Sequence, residues 1–92
     1  RQGNASDALP LVNQVRARAG VAALSSVDAD AILLERGFEL AWEAVRRMDL
    51  IRYGKFNDAW TNKDASPAYT KLFPIPASAL GANPNLEQNP GY

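Results

Sequence analysis

One apolar stripe constrains this chain more than any other feature of its sequence. Its members recur at intervals of three and four residues: Ala31, Leu34, Phe38, Ala41, Val45 and Met48. This spacing places side chains on one face of an α-helix that is buried against another element. The segment ends at Gly54, after arginines that suit the negative end of a helix dipole. The pattern predicts a helix over about 28–53, which could kink near 44–47 although no local residue forces a bend.

Shorter signals predict the remaining elements. Leu11, Val15 and Ala19 follow at spacings of four and Gly20 supplies a left-handed stop, which predicts a helix over about 7–19. Polar residues after Gly54 predict a long loop over 55–71. Residues 72–92 are rich in proline and asparagine and predict an irregular tail. The predicted fold class is all-α, with two main helices and a long irregular Pro/Asn-rich tail.

Composition removes several classes of function. The 10 basic and 10 acidic residues cancel, and without a basic block there is no electrostatic argument for binding nucleic acid or a membrane surface. The chain has neither histidine nor cysteine, so a Ser-His-Asp triad, a thiol nucleophile and an ordinary zinc site are excluded. No cofactor and no metal are predicted. No apolar run approaches the roughly 20 residues of a membrane-spanning helix.

Three glutamates form the most suggestive polar pattern. Glu35, Glu39 and Glu43 follow at spacings of four within the predicted long helix. Neighbouring carboxylates can act as acid and base in glycoside hydrolysis, so a two-carboxylate glycosidase is one alternative. Arg36 lies three residues before Glu39, and Arg46 lies three residues after Glu43. Structural ion pairs are therefore the favoured interpretation, each worth about 0.2–0.5 kcal/mol to a helix.

Five aromatic residues are candidates for ligand contact or packing. Trp42 falls within the predicted helix, and Tyr53 and Phe56 lie beside its end, so we expect all three to pack. Trp60 and Tyr69 lie in the polar loop and are the better candidates for contact with a sugar face. Loop anchoring remains the favoured role even for these two.

Three segments resemble the C-terminal part of the SusD/RagB family, in the family's order. They are LVNQVRARAG at 11–20, ILLERGFELAWEAVRRMDLIRYG at 32–54 and LFPIPASALGANPNLEQNPGY at 72–92. The second is similar to a family pattern matched here by Glu35, Arg36, Glu39, Leu40, Glu43, Arg46, Asp49, Leu50, Arg52 and Gly54. One departure is Ala44, where members often have glycine, and we expect the alanine to straighten any bend there.

The resemblance implies that residues 1–92 are the C-terminal portion of a longer, mostly α-helical protein. Tetratricopeptide-like helix pairs would lie upstream, together with a lipidated cysteine that anchors the protein to the outer face of the outer membrane. We expect a longer protein for two further reasons: the chain begins at Arg1 rather than methionine, and two helices and a tail cannot bury all its apolar faces. As an alternative, the chain is a free-standing helical interaction module.

The resemblance also implies a function without catalysis. Such a protein binds an oligosaccharide or starch-like polysaccharide and passes it to a SusC-like TonB-dependent transporter. The same fold carrying peptides or another nutrient is an alternative. The ligand-binding residues would lie mostly upstream, and the motifs matched here would be scaffold.

We therefore interpret the charged residues of the second segment as a structural polar network that fixes the long helix and the Pro-Ile-Pro tail. Its members are Glu35, Arg36, Glu39, Glu43, Arg46, Asp49 and Arg52. If Glu39 covers a buried arginine, replacing it by alanine is expected to cost about 1–3 kcal/mol.

Overall fold

Helices are the regular elements of this chain. The computed structural model describes residues 4–92 and divides the chain into two units, Arg1–Asp49 and Leu50–Tyr92, called here the first and second units. The helices are α1 (Ala5–Arg18), α2 (Ala29–Glu39), α3 (Arg46–Arg52), a 3-10 helix (Ala68–Lys71) and α4 (Ala77–Ala82). The described residues contain no strand, and their one isolated β-bridge joins Trp60 and Lys63. None of the helices among them combines the length and the apolar character that crossing a membrane requires.

Helix α1 ends in a Schellman motif built on Gly20. This glycine has φ +72°, a left-handed conformation that costs it little because it lacks a Cβ. The N–H of Val21 donates to the carbonyl of Arg16 at 2.9 Å, and that of Gly20 donates to Ala17 at 3.1 Å. The helix extends over Ala5–Arg18, so it begins two residues before the predicted start at about 7.

The continuous helix predicted over about 28–53 is interrupted in the structure. Asp28 caps α2, its side chain accepting the Ala31 N–H at 2.7 Å, and the helix ends at Glu39. Residues 40–45 are irregular, and Trp42 and Ala44 adopt left-handed φ values of 67° and 60°. A left-handed residue cannot continue a right-handed helix, so α3 starts afresh at Arg46.

Contacts across the interruption explain why the helix breaks. The Nε of Arg36 lies 2.8 Å from the Oδ2 of Asp49, 13 residues further on, and Arg46 reaches the carbonyl of Leu33 over the same separation. A continuous helix rises about 1.5 Å per residue and would hold such residues about 20 Å apart. The break therefore allows α3 to return towards α2. Ala44 does not straighten the bend, contrary to expectation, because it is itself one of the left-handed residues.

The apolar stripe that predicted the long helix is not the face that is buried in the first unit. Phe38 is 67% exposed and Trp42 is fully exposed, although packing was expected for Trp42. The buried apolar residues are instead Val27 and Leu33, and Leu33 lies off the stripe. Because the stripe runs through the break at 40–45, its later members no longer share a face with its earlier ones.

Side chains near the end of the second unit hold its irregular tail. Gln88 pairs with both backbone groups of Ile75: Oε1 accepts the N–H at 2.8 Å, and Nε2 donates to the carbonyl at 3.0 Å. Asn89 Nδ2 donates to the carbonyl of Phe73 at 2.7 Å, and the Tyr92 hydroxyl donates to that of Leu72 at 2.8 Å. The tail is irregular, as predicted, and its own side chains supply these hydrogen bonds.

The left-handed conformation of Ala44 predicts that glycine stabilises the protein at this position. Left-handed backbone costs a non-glycine residue about 1–2 kcal/mol, whereas glycine loses about 0.5–1 kcal/mol of unfolded-state entropy. We expect Ala44→Gly to raise the free energy of unfolding of the intact protein by about 0.5 kcal/mol. Ala41→Gly, in the same irregular segment but without positive φ, is the matched control and is expected to lower it. Urea unfolding of both variants is the measurement, and stabilisation of neither or of both would contradict the assignment.

The Gln88 contact predicts that substitutions at two neighbouring positions have very different effects on local stability. Gln88→Glu keeps the shape and the acceptor but loses the donor to Ile75, and it places a carboxylate against a carbonyl oxygen. We expect a local cost of about 1–3 kcal/mol. Glu87 is exposed, so Glu87→Gln is expected to stay within about 0.5 kcal/mol. Hydrogen exchange at the Ile75 amide measures both, and equal protection in the two variants would be evidence against the contact.

Candidate functional site

Arginines of α1 hold two glutamates of α2 in the first unit. Arg16 Nη1 pairs with Glu35, and the Nε of the same arginine donates to the carbonyl of Ala22 at 2.6 Å. Arg18 Nη2 pairs with Glu39. The first pair is largely buried, with side-chain exposures of 16% and 17%, whereas the second is exposed, at 67% and 34%. The glutamates therefore join two helices rather than neighbours on their own helix.

A third ion pair contains Asp49, the one buried charged residue among the residues described. Asp49 keeps only 3% of its side-chain surface exposed and accepts from Arg36 Nε at 2.8 Å. Beside it, Arg46 Nη1 donates to the carbonyl of Leu33 at 2.6 Å and lies against Gly37. A Cβ at Gly37 would come within 2.9 Å of that nitrogen. Gly37 is thus explained by the passage of an arginine side chain rather than by the approach of another helix backbone.

Members of the predicted polar network make ion pairs with one another and with α1 among residues 4–49. Arg36 pairs with Asp49 because α3 returns to α2 across the break, and Glu39 pairs with Arg18 of α1. Glu43 lies exposed within the break and makes no ion pair with any residue described, while Arg52 ends α3. With guanidinium groups on both Glu35 and Glu39, the geometry gives the two-carboxylate glycosidase no support.

Trp60 stands at a tight turn in the second unit. Its backbone makes both hydrogen bonds with Lys63, N–H to carbonyl at 3.0 Å and carbonyl to N–H at 2.9 Å. Asn62 has φ +65°, a left-handed conformation that asparagine tolerates better than most residues. The Trp60 side chain is 45% exposed. The turn therefore presents an aromatic ring on a backbone that is fixed at both ends.

The side chain of Lys63 contacts the Trp60 ring. Its Nζ lies 4.5 Å from the centroid of the Trp60 ring, within the range of a cation–π contact. The same ammonium donates to the carbonyls of Asp58 at 2.9 Å and Asp64 at 3.0 Å, and it lies 3.5 Å from Ser66 Oγ. These acceptors match its three donors, so the lysine is a structural group of the turn.

Asn57 ties the two ends of the loop together. Its Nδ2 lies 2.8 Å from the carbonyl of Pro67, 3.0 Å from Thr70 Oγ1 and 3.1 Å from Ser66 Oγ. Its backbone carbonyl accepts the N–H of Ser66 at 3.0 Å. Its Oδ1 is buried without a hydrogen-bond partner among the residues described. The long loop predicted over 55–71 is thus an ordered structure, fixed chiefly by one asparagine.

The second aromatic candidate, Tyr69, packs against residues near the end of the chain and keeps 38% of its surface exposed. Its ring meets that of Tyr92 edge to face, with centroids 4.9 Å apart. Gly91 lies so close that a Cβ there would be 2.5 Å from Tyr69 Cγ, and its φ of +95° also favours glycine. The structure therefore gives Tyr69 a packing role, in line with the favoured interpretation of the sequence, but its partners lie more than 20 residues away and could not be named from the sequence.

These features describe an all-helical protein that presents an aromatic turn and is held together by polar side chains. Residues 1–71 match the sequence profile of the SusD family, and the chain belongs to that family. SusD-family proteins are non-catalytic binding proteins.

Two curated relatives are similar to this chain over nearly all its length. The starch-binding protein SusD of Bacteroides thetaiotaomicron is 32% identical over 100% of this chain, which covers 18% of that protein. SusD-like protein P25 of Formosa agariphila is 37% identical over 95% of this chain, covering 20% of it. The chain thus spans about a fifth of the length of these relatives.

The different burial of two acidic residues predicts different costs of removal. Asp49→Ala deletes a buried charge-assisted hydrogen bond, and we expect a loss of about 2–3 kcal/mol in the free energy of unfolding. Glu39→Ala removes an exposed pair and is expected to cost less than about 0.5 kcal/mol, below the value expected if Glu39 covered a buried arginine. Urea unfolding of both intact variants tests this. A loss for Glu39→Ala that equals or exceeds the loss for Asp49→Ala would contradict the assignment.

Proposed function

We propose that the protein carrying this chain captures glycans at the cell surface and breaks no bond in doing so. Family membership is the observation that carries the proposal. A relative named as starch-binding is 32% identical over the whole chain, which favours an oligosaccharide or starch-like ligand. The geometry agrees with a binding role, since Glu35 and Glu39 are committed to arginines rather than facing each other across an open cleft.

The proposal extends to location and partner. The protein would sit on the outer face of the outer membrane, held by a lipid on an upstream cysteine. There it would pass its ligand to a SusC-like TonB-dependent transporter. In this arrangement the first unit is scaffold, because its charged side chains are used in holding helices together. Most ligand contacts would come from the upstream part of the protein.

Calorimetric titration of the purified intact protein tests the cargo. The ligands are maltoheptaose, cellohexaose, xylohexaose and mannohexaose, with a panel of peptides of similar mass. We expect saturable binding of at least one oligosaccharide, no peptide binding, and recovery of the oligosaccharide uncleaved. Peptide binding without any oligosaccharide binding would indicate that the protein carries peptides rather than glycans. Release of shorter sugars would contradict the non-catalytic role.

The location is tested on the native protein in the outer-membrane fraction. An antibody against this segment isolates the protein for intact-mass measurement. We expect a product several times heavier than 10.0 kDa that carries acyl chains and co-purifies with a large outer-membrane transporter. A species without acyl chains in the soluble fraction would contradict the proposed location.

A further inference from the structure

We propose that the turn at 60–63 is a glycan contact in its own right, in which Trp60 stacks on a neutral sugar ring. Residues Thr61 and Asn62 would bind the hydroxyl groups of that ring. The proposal rests on the proposed function and assigns part of it to residues of this chain. It separates Trp60, which is available to a ligand, from Tyr69, which packs on Gly91 and Tyr92.

The first argument is that the turn is already rigid. Two backbone hydrogen bonds join Trp60 to Lys63, and the lysine ammonium holds the ring from one face at 4.5 Å. Asn57 fixes the end of the same loop through Ser66, Pro67 and Thr70. A side chain that is ordered before binding loses little conformational entropy when a ligand arrives.

The second argument is that the turn has unused hydrogen-bonding groups. Among residues 4–92, the indole N–H of Trp60, the hydroxyl of Thr61 and the amide of Asn62 have no hydrogen-bond partner. Thr61 and Asn62 are both exposed, on either side of the apex of the turn. A pyranose ring has an apolar C–H face and a rim of hydroxyl groups. It would match an indole face with donors and acceptors at its edge.

The third argument is electrostatic and selects a neutral ligand. The ammonium of Lys63 donates to the backbone carbonyls of Asp58 and Asp64 and lies 3.5 Å from Ser66 Oγ, so its N–H groups are used within the turn. The carboxylates of Asp58 and Asp64 belong to exposed residues flanking the turn. Their charge would repel an acidic sugar, although salt screens such interactions beyond about 10 Å. A neutral hexose or pentose unit is therefore the ligand that this turn fits.

The test is titration of the intact protein and its variants with the same four oligosaccharides. For the one that binds the wild type best, Trp60→Ala is expected to raise Kd by up to about tenfold, the scale on which loss of one aromatic contact weakens binding. Asn62→Gly removes the amide while keeping the left-handed turn, so we expect a several-fold rise in Kd with an unchanged Tm. Trp42→Ala is the matched control, since it removes an exposed tryptophan of the other unit, and should leave Kd unchanged.

The outcomes separate this proposal from the proposed function. If the wild type binds none of the four oligosaccharides, the proposed function fails and the turn proposal falls with it. If the wild type binds while Trp60→Ala and Asn62→Gly bind equally well, only the turn proposal is overturned. An equal loss in Trp42→Ala would also overturn it, because the effect would not be specific to the turn. If Trp60→Ala does not fold, the Kd of the Asn62→Gly variant tests the turn proposal instead.

Discussion

The pairing of Asp49 with Arg36 is the contact on which the first unit depends. A carboxylate with 3% of its side-chain surface exposed needs a partner, because an unpaired buried charge costs several kcal/mol. That partner is 13 residues away, so the chain must turn back between α2 and α3. The break at 40–45, the left-handed Ala44 and the route of Arg46 over Gly37 all accompany this return. Together with the Arg46–Leu33 contact, this ion pair joins the two helices that replace the one predicted helix.

In the second unit, side-chain amides supply hydrogen bonds to backbone that has no regular secondary structure. Pro74 and Pro76 flank Ile75 and lack the N–H that a β-ladder requires. Gln88 supplies one donor and one acceptor, and it pairs with Ile75 much as a neighbouring strand would. Asn57 plays the same part in the loop by binding two side-chain oxygens and a carbonyl. Irregular backbone is ordered here because amide side chains replace regular backbone pairing.

Local signals in the sequence predicted what is local in the fold. The helix stop at Gly20 depends on residues a few positions away, and the sequence predicted it. The break at 40–45 could not be found in this way. The apolar period runs through it without interruption, and its cause lies in contacts 13 residues apart. Family resemblance pointed to Ala44 as a departure but not to its left-handed conformation.

The candidate ligand contact could be predicted only in part, because it too depends on contacts between residues that are distant in the sequence. Trp60 was a candidate because it lies among polar residues, whereas the contacts that Lys63 and Asn57 make around it are seen only in the structure. Tyr69 was indistinguishable from Trp60 by sequence, since its partners lie more than 20 residues away. Sequence context identified the polar loop, whereas the packing of Tyr69 on Gly91 and Tyr92 is seen only in the structure.

The two asparagines that shape the tail have a chemical property in common. Asn83 accepts the N–H of Asn85 at 3.0 Å and Asn89 donates to Phe73, and each is followed directly by proline. Spontaneous deamidation of asparagine begins when the next backbone nitrogen, carrying its hydrogen, attacks the side-chain amide. Proline has no such N–H. Pro84 and Pro90 therefore protect the side-chain amides of Asn83 and Asn89 from this reaction over the lifetime of the molecule.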